Sequence, residues 1–396
     1  MSRIGMFTYS THPRGSVVHS ACLAEALCAR GHDVTLFALS KNGAGFFRDL
    51  ACKLCLIPAA PAPAELDQLI AQRIGEFVAG LEALDPDLDV LHAQDCLAAS
   101  ALLDARRSEL ALRSCPLVRT VHHVERFASA YLAECQRRSI LEADLVLAVS
   151  QATERDVWTE LGRACARVEN GVDVGRFAAP APDGLIKTEL RRALGLDPSG
   201  FVVLSVGGIE PRKNSLRCLE AIAALCVAEP RTQWRVVGGA SVLDHRAYRE
   251  QFDSHLAGLA PGVRARIELL GTVSEQHLTQ LYQASDVLLF PSEHEGWGLC
   301  VLEAMAAGLP VIIPSGAPFT EYVPRGAALF VDPLDASDIQ HALMLIATDP
   351  ATRSRLASLG RSVAEKFSWA RSGETHSHLY GQLLERQRQR PPHVYA

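Results

Sequence analysis

Short apolar runs alternate with helix-like stretches along almost all of this 396-residue chain. Twelve such runs, six in each half, predict β-strands. Continuous apolar runs of this length are typical of strands buried on both faces of a parallel sheet. Because parallel strands need crossover connections, the pattern predicts an α/β protein with helices on both faces of each sheet. The predicted strands are Arg3–Tyr9, Asp33–Leu39, Cys52–Ile57, Asp89–His92, Leu117–His122, Asp144–Val149, Phe201–Val206, Gln233–Val237, Arg266–Leu270, Val287–Phe290, Val311–Ile313 and Ala328–Val331.

The chain is long enough for two domains, since its 48% hydrophobic content over 396 residues can supply two cores. Ala178–Gly184 has the Pro/Ala/Gly composition of a linker. We therefore expect doubly wound domains at residues 1–180 and 181–366, facing across a cleft that holds the ligands. The segment 367–396 is expected to contain a long polar helix with an apolar stripe.

Charge and composition exclude several classes of protein. A net charge of −6 argues against a nucleic-acid binder, and no apolar window reaches the length of a membrane-spanning helix. The amphipathic stretch Glu65–Leu84 has a mostly acidic polar face, the wrong sign for anionic lipid, so core packing is expected and membrane association is not supported. Eleven scattered cysteines and a polar N-terminus favour a cytoplasmic protein with reduced thiols. Oligomeric state is not indicated by the sequence.

The loop after the predicted strand Val287–Phe290 carries two glutamates, in Glu295-Gly-Trp-Gly-Leu-Cys-Val-Leu-Glu303. A glycine-bearing loop that leads into a helix presents unpaired backbone N–H groups and the positive end of the helix dipole, which suits phosphate. Carboxylates accept hydrogen bonds from sugar hydroxyls. The segment therefore predicts a nucleotide-sugar site, in which Glu295 and Glu303 bind hydroxyls. The donor-binding residues around the diphosphate would be Gly296, Trp297, Gly298 and Leu299.

At these residues the chain resembles the retaining glycosyltransferases of the GT4 family (group 1), whose signature is Glu-x7-Glu, and the resemblance extends from Arg3 to Trp369. It implies the GT-B architecture, with two Rossmann-like domains and a C-terminal helix that crosses back to the first. It also implies a metal-independent, retaining transfer of a hexose-type sugar from a nucleoside-diphosphate sugar, UDP- or GDP-linked, to an unidentified hydroxyl acceptor. The donor is a co-substrate, and no cofactor is expected.

The second domain opens with Val206-Gly-Gly-Ile-Glu-Pro-Arg-Lys-Asn214, where the family pattern is Gly-Arg followed five residues later by Lys. Lys213 matches the lysine, but Gly208 stands at the place of the arginine. Arg212 offers a guanidinium nearby that can replace the lost contact. Because fixed cations stabilise a departing diphosphate, we expect Lys213 to be catalytic and donor-binding, and Arg212 to be donor-binding.

Further expectations follow from the resemblance for the first domain. Gly15 and Ser16 occupy the place of a Gly-Gly pair that approaches the donor phosphate, and Arg14 and His19 are expected to contact the acceptor or the phosphate. His122 aligns with a histidine that the family commonly has at the end of this strand. Its expected catalytic role, beside Lys213 and Glu295, is to bind a donor-sugar hydroxyl and orient the reacting centre. Backbone groups near Val273, in the second domain, are expected to read the nucleotide base.

Alternatives remain at this stage. Asp85-Pro-Asp-Leu-Asp89 contains Asp-x-Asp, the metal motif of another glycosyltransferase architecture, but an acidic turn before a strand is the simpler interpretation. The matched motifs offer no carboxylate nucleophile about 5 Å from an acid, as double displacement requires, so the resemblance implies front-face transfer. A nucleotide-sugar epimerase and a non-catalytic sugar-nucleotide binder remain open. An NAD-dependent oxidoreductase would need Gly-x-Gly-x-x-Gly, a spacing that Val206-Gly-Gly-Ile209 lacks.

Overall fold

A computed structural model describes residues 1–41, 43–108, 110–178, 184–239 and 245–389. By its internal contacts the chain divides into two units. The first is Met1–Gly171 with the C-terminal segment that begins at Trp369, and the second is Val172–Ser368. The expected boundary was at residue 180, and most of the predicted linker, residues 179–183, lies outside the described ranges.

The described residues form thirteen strands and seventeen α-helices. The strands are β1 (Arg3–Thr8), β2 (Asp33–Lys41), β3 (Lys53–Ala59), β4 (Val90–Ala93), β5 (Leu117–Val121), β6 (Leu145–Ala148), β7 (Ala166–Arg167), β8 (Phe201–Val206), β9 (Thr232–Val237), β10 (Ile267–Gly271), β11 (Val287–Leu289), β12 (Val311–Pro314) and β13 (Leu329–Val331). The helices are α1 (Gly15–Ala29), α2 (Leu66–Leu84), α3 (Cys96–Ser108), α4 (Leu110–Arg113), α5 (Ala130–Leu141), α6 (Gln151–Leu161), α7 (Val174–Phe177), α8 (Gly184–Ala193), α9 (Ser215–Ala228), α10 (Arg246–Gly258), α11 (Pro261–Arg264), α12 (Glu275–Ala284), α13 (Leu299–Ala306), α14 (Phe319–Tyr322), α15 (Ala336–Thr348), α16 (Pro350–Ala364) and α17 (Trp369–Arg388). A short 3-10 turn spans Pro211–Lys213.

Each unit is built on one parallel sheet, as the alternating pattern predicts. The first sheet has the order β3-β2-β1-β4-β5-β6-β7 and the second the order β10-β9-β8-β11-β12-β13. All twelve predicted strands are present, and no end is shifted by more than two residues. In both sheets the order reverses beside the first strand, between β1 and β4 and between β8 and β11. This topological switch point is where doubly wound sheets bind their ligands, beyond the carboxyl ends of the strands.

The C-terminal helix α17 belongs to the first unit, which confirms that the chain returns there. It packs along α1, and a Cβ on Gly373 would lie 3.2 Å from Ala26 Cβ, so the two helices approach closely. Tyr380 of α17 is fully buried in the core beside Leu23 and Leu27. An amphipathic helix gains most of its stability from such packing, so α17 is an integral part of this unit.

The structure also describes the amphipathic helix α2, the acidic turn before β4 and the cysteines. The apolar side of α2 is buried, with Ile74 and Phe77 in the interior, which confirms core packing for this helix. Asp87 and Asp89 of the acidic turn both pair with Arg3. Burial raises the pKa of the Cys52 thiol to about 12, and all eleven cysteines are free. Among the described helices, none combines the length and the apolar composition needed to cross a membrane.

Candidate active site

Two loops meet at the switch point of the second sheet, one after β8 and the other after β11. The backbone N–H of Glu293 donates to the carbonyl of Arg212 at 2.8 Å. Asn214 ends the 3-10 turn in the left-handed region (φ 59°), which asparagine tolerates better than most residues. Its side chain also donates to the carbonyl of Pro291 at 3.2 Å. The predicted cation loop is therefore tied to the predicted glutamate loop at two points.

These loops bring the predicted charged residues into one ion cluster. Lys213 Nζ lies 2.5 Å from Glu295 Oε1, and Arg212 Nη1 lies 2.8 Å from the same oxygen. Arg212 Nε is also 3.0 Å from Glu210 Oε2. The side chains of Lys213 and Glu295 are only 12% and 10% exposed, and Lys213 Nζ lies over the Phe290 ring, 4.2 Å from its centroid. Two cations thus share one carboxylate at the sheet edge, with low exposure that strengthens their electrostatic effect.

The backbone at position 208, where the family pattern has an arginine, leaves no room for a side chain. Gly208 has φ 76°, and a Cβ there would lie 2.6 Å from the carbonyl oxygen of Gly239. Gly238 closes the other side, since a Cβ on it would lie 2.2 Å from the backbone nitrogen of Gly208. A side chain at 208 therefore needs the backbone to move. The guanidinium at this edge comes instead from Arg212.

The second signature glutamate lies on α13, which begins beyond Gly298. That glycine has φ 87°, and a Cβ on it would lie 2.7 Å from the Phe319 ring, so glycine is required here. Glu303 accepts a hydrogen bond from the Tyr282 hydroxyl at 2.8 Å. Burial raises the pKa of the Glu303 carboxyl, while the Tyr282 hydrogen bond acts in the opposite direction. Tyr282 holds this carboxylate in one orientation.

The remaining donor-site predictions fall into two groups. Val273 lies between β10 and α12, at the carboxyl edge, and the backbone around Gly296 and Leu299 follows β11. The Trp297 side chain is instead buried and stacks on Tyr322 with ring centroids 4.5 Å apart. Any donor contact of Trp297 therefore has to come from its backbone, as expected for a loop that binds phosphate through its N–H groups.

In the first unit the structure gathers four histidines between the sheet, α1 and α17. His122 directly follows β5, and its ring lies 4.8 Å from that of His19. His19 also packs against Trp369 at 5.3 Å, and the rings of His92 and His376 lie 5.7 Å apart. Burial, then the proximity of His376, lowers the pKa of His19 to about 3. Burial also lowers the pKa of His376, to about 4. The cluster is therefore neutral near pH 7.

The predicted acceptor contacts differ in position. His19 is 1% exposed, so its ring is not offered to an acceptor, and the expected contact has no support from its position. Arg14 is half-buried and its Nη1 donates to the Tyr9 hydroxyl at 2.9 Å. Gly15 is the first residue of α1, with no atom within 4 Å of a Cβ placed on it. The fold itself therefore does not require glycine at 15. Ser16 follows it, and its carbonyl accepts from the Ser20 hydroxyl at 2.7 Å.

Sequence reasoning missed three side chains that orient predicted site residues. Glu210 pairs with Arg212, Tyr282 holds Glu303, and Gln94 contacts His122 at 3.1 Å. Gln94 follows β4 at the switch point, and that position was its available signal. Nothing in the sequence near Tyr282 marks it as a partner of Glu303, because the two belong to different helices.

Comparison with known proteins identifies the family of the chain. Residues 186–363 match the family described as glycosyl transferases group 1, and residues 13–176 match glycosyltransferase family 4. A D-inositol 3-phosphate glycosyltransferase of Actinosynnema mirum is 34% identical over 292 residues, which cover 68% of this chain and 67% of that protein. Another from Xylanimonas cellulosilytica is 28% identical over 422 aligned positions, covering 97% of each chain. The chain belongs to the group 1 glycosyltransferases, and it is a transferase enzyme.

Solved structures give the same architecture. Sucrose-phosphate synthase from Thermosynechococcus elongatus superposes with a TM-score of 0.80 at 22% identity, covering 98% of this chain and 100% of that one. Anabaena HepE, in complex with UDP and glucose, superposes with a TM-score of 0.74 at 20% identity, covering 96% and 100%. At these identities the likeness shows the fold, which is the GT-B fold expected from the sequence.

Proposed function

We propose that this protein moves a hexose-type sugar from a nucleoside-diphosphate sugar to a hydroxyl acceptor, with retention of anomeric configuration and without a metal ion. The observation that carries the proposal is the ion cluster in which Lys213 and Arg212 meet Glu295. It lies at the switch point of the second sheet, beside the glycine-bearing entry to α13. Backbone N–H groups and two cations are the donors that a diphosphate needs.

Each member of the cluster has a distinct proposed role. Lys213 and Arg212 hold the diphosphate and stabilise the negative charge that develops on it as the sugar leaves. The Glu295 carboxylate, now shared by both cations, turns to a hydroxyl of the donor sugar when the diphosphate occupies them. Glu303, oriented by Tyr282, accepts hydrogen bonds from the ribose. In the first unit, His122 binds a donor-sugar hydroxyl and orients the reacting centre.

Retention is proposed from the resemblance to the retaining GT4 family, and metal independence from the cations and helix N–H groups at the edge of the second sheet. No residue of the proposed site is assigned as a carboxylate nucleophile, so the leaving phosphate takes the acceptor proton in a front-face transfer. The cations and helix N–H groups supply the positive charge that a metal ion provides in other transferases. Anomeric couplings in the product's NMR spectrum test retention, and unchanged turnover in EDTA tests metal independence.

The relatives direct the choice of substrates. Several are D-inositol 3-phosphate glycosyltransferases, and one from Corynebacterium glutamicum is a GDP-mannose-dependent mannosyltransferase, 27% identical over 243 residues. We therefore propose a UDP- or GDP-sugar as donor, and D-inositol 3-phosphate as the first acceptor to test. The free cysteines support the further proposal of a cytoplasmic enzyme.

Thermal unfolding with UDP, GDP, ADP and NAD, each at about a hundred times its dissociation constant, tests the donor site. Binding at that excess adds about 2.7 kcal/mol, which raises the melting temperature by roughly 5–10 °C for a unit of this size. A shift with UDP or GDP, abolished in Lys213→Ala and kept in the exposed control Lys53→Ala, supports the proposal. No shift with any nucleoside diphosphate contradicts it. Conversion of the donor sugar to its epimer without acceptor would identify an epimerase instead.

A further inference from the structure

One glutamine side chain in the first unit joins two histidines. Gln94 is 1% exposed and follows β4, and its backbone N–H donates to the Phe7 carbonyl at 3.0 Å. Its side-chain Oε1 lies 3.1 Å from His122 Nε2, and its Nε2 lies 3.2 Å from His92 Nε2. The amide is therefore fixed at the switch point by the sheet and touches one imidazole with each end.

The hydrogen-bonded chain continues to the C-terminal helix. His92 Nδ1 lies 2.6 Å from the Tyr380 hydroxyl, and His92 Nε2 lies 2.7 Å from Thr120 Oγ1. His92, Thr120 and Tyr380 are all buried. Because Tyr380 belongs to α17, a continuous set of buried side chains connects that helix with His122. Such networks specify one arrangement when each member is satisfied.

The chemistry of an amide constrains the protons on both histidines. A glutamine has one accepting end and one donating end, whereas a neutral imidazole nitrogen either donates or accepts. An amide between two Nε2 atoms therefore requires opposite tautomers. With Oε1 towards His122, that ring carries its proton on Nε2. The unprotonated Nε2 of His92 then accepts from the Gln94 amide and from the Thr120 hydroxyl, and His92 carries its proton on Nδ1, where it donates to Tyr380.

His122 is held neutral, which leaves a lone pair on its Nδ1. Burial is the largest cause of a pKa well below the ordinary value, and nearby groups lower the pKa further. Those groups are His19 on α1, Arg119 on β5, His123 in the adjoining loop and His92 on β4. Among the described residues none hydrogen-bonds His122 Nδ1, and the His122 side chain is half-buried rather than enclosed. Its lone pair is therefore available to a ligand.

We propose that Gln94 is a positioning residue, which holds His122 as the neutral Nε2–H tautomer so that Nδ1 accepts a hydrogen bond from a substrate hydroxyl. This inference rests on the proposed role of His122 in sugar transfer. The opposite tautomer would point an N–H at the hydroxyl and accept nothing from it. A tautomer fixed before substrate arrives removes that reorganisation from the reaction.

The tautomer can be measured without any substrate. In long-range 1H–15N NMR spectra of histidine-labelled protein at pH 7.5, we expect a protonated Nε2 and an unprotonated Nδ1 for His122, with the reverse for His92. His122→Asn and His92→Asn identify the two sets of signals. In Gln94→Met, both rings should show 15N shifts averaged over the two tautomers. The control Gln233→Met removes a half-buried amide in the other unit and should alter neither ring. A wild-type His122 protonated on Nδ1, or unaffected by Gln94→Met, overturns the proposal.

Kinetics then separate positioning from folding. Gln94→Met should lower kcat by roughly 10–100-fold, since losing an orienting partner has effects of this size, with the KM for donor little changed. Tyr380→Phe removes only the hydroxyl at the end of the hydrogen-bonded chain farthest from His122, so it should lower kcat less than Gln94→Met does. If Gln94→Met melts well below the wild type, Gln94→Asn tests the same tautomer with an amide retained. Wild-type protein with the expected tautomers but no transferase activity would contradict the proposed function and leave the tautomer assignment standing. Equal kcat in wild type and a folded Gln94→Met overturns the positioning role.

Discussion

The two units use the same strand order but opposite chemistry at their switch points. In the second, the edge between β8 and β11 carries an ion cluster, with two cations and two carboxylates within 3.0 Å contacts. In the first, the side chains hydrogen-bonded in turn from His122 to Tyr380 are imidazoles, an amide and a hydroxyl, with the Arg119 guanidinium buried nearby. Burial lowers the pKa of His122 and of His92. One sheet topology can therefore support either charge stabilisation or neutral hydrogen bonding, and the loop residues decide which.

The largest expected effect comes from removing Lys213 from the ion cluster at the edge of the second sheet. Lys213→Ala should lower kcat by roughly 10²–10³, because it removes a fixed positive charge from the developing diphosphate. Steady-state kinetics with a saturating donor measure this loss. Lys53→Ala removes an exposed lysine that pairs with Asp33 and should leave kcat unchanged. Near-normal turnover in Lys213→Ala would mean that Lys213 has a structural role in the ion cluster and no role in catalysis.

Replacing His122 in the first unit should lower turnover without affecting nucleotide affinity. His122→Ala should lower kcat by roughly a hundredfold, because orientation of the reacting groups is lost. The thermal shift caused by the nucleoside diphosphate should persist, since Lys213 and Arg212 belong to the other unit. The neighbouring His123, which pairs with Glu125 at 2.9 Å, provides the control His123→Ala. Parallel loss of turnover and nucleotide binding would assign His122 to folding.

The position of the guanidinium can be tested through stability. Gly208→Arg should cost roughly 2–3 kcal/mol, because it combines a left-handed backbone with a Cβ clash. For a unit of this size that lowers the melting temperature by roughly 5–10 °C. Gly208→Ala should cost nearly as much, since the conflict with Gly239 is at Cβ. Gly316→Ala, where a Cβ meets open space, should be close to neutral. A stable Gly208→Arg would show that the loop adjusts.

The smallest expected effect is a pH dependence of folding stability that the clustered histidines of the first unit cause. The folded pKa values of His19 and His376, about 3 and about 4, lie below the ordinary 6.5. The unfolded chain therefore binds more protons than the folded one, so stability is complete above about pH 6.5 and is lost as the pH falls towards those folded values. Between pH 7.5 and pH 5.5, each of these histidines should lower the free energy of unfolding by about 1 kcal/mol. The two losses should add up to less than their sum, because the rings are close together.

Urea unfolding at the two pH values measures this loss. His376→Gln should reduce the dependence, because it removes one of the four clustered histidines whose pKa is lowered. His378→Gln changes an exposed residue on the same helix and should keep the full dependence. Equal pH dependence in all three proteins would contradict the assignment of the loss to the buried histidines.

The contrast between the units also marks what the sequence could predict. Strands such as Val287–Leu289 were recognisable because apolar runs signal burial on both faces, whereas β7 has two residues and no such run. Glu295 was recognisable because it stands beside Gly296 in the loop after a strand, and Lys213 because it matches the lysine of the family pattern. Gln94 offered only its position after β4 as a signal, because its role as a neutral side chain between two histidines leaves no periodic pattern and depends on contacts made in three dimensions.

The close packing of Gly208 against Gly238 and Gly239 has a consequence for how this site can change by mutation. The backbone of one loop fills the space that a side chain at 208 would need, so no single substitution can place a cation there without moving its neighbours. Position 212 has no such restriction, and its side chain reaches the same carboxylate oxygen as Lys213. In this enzyme the charge at the sheet edge can be supplied from different positions along the loop, whereas the backbone beneath it leaves little freedom to evolve.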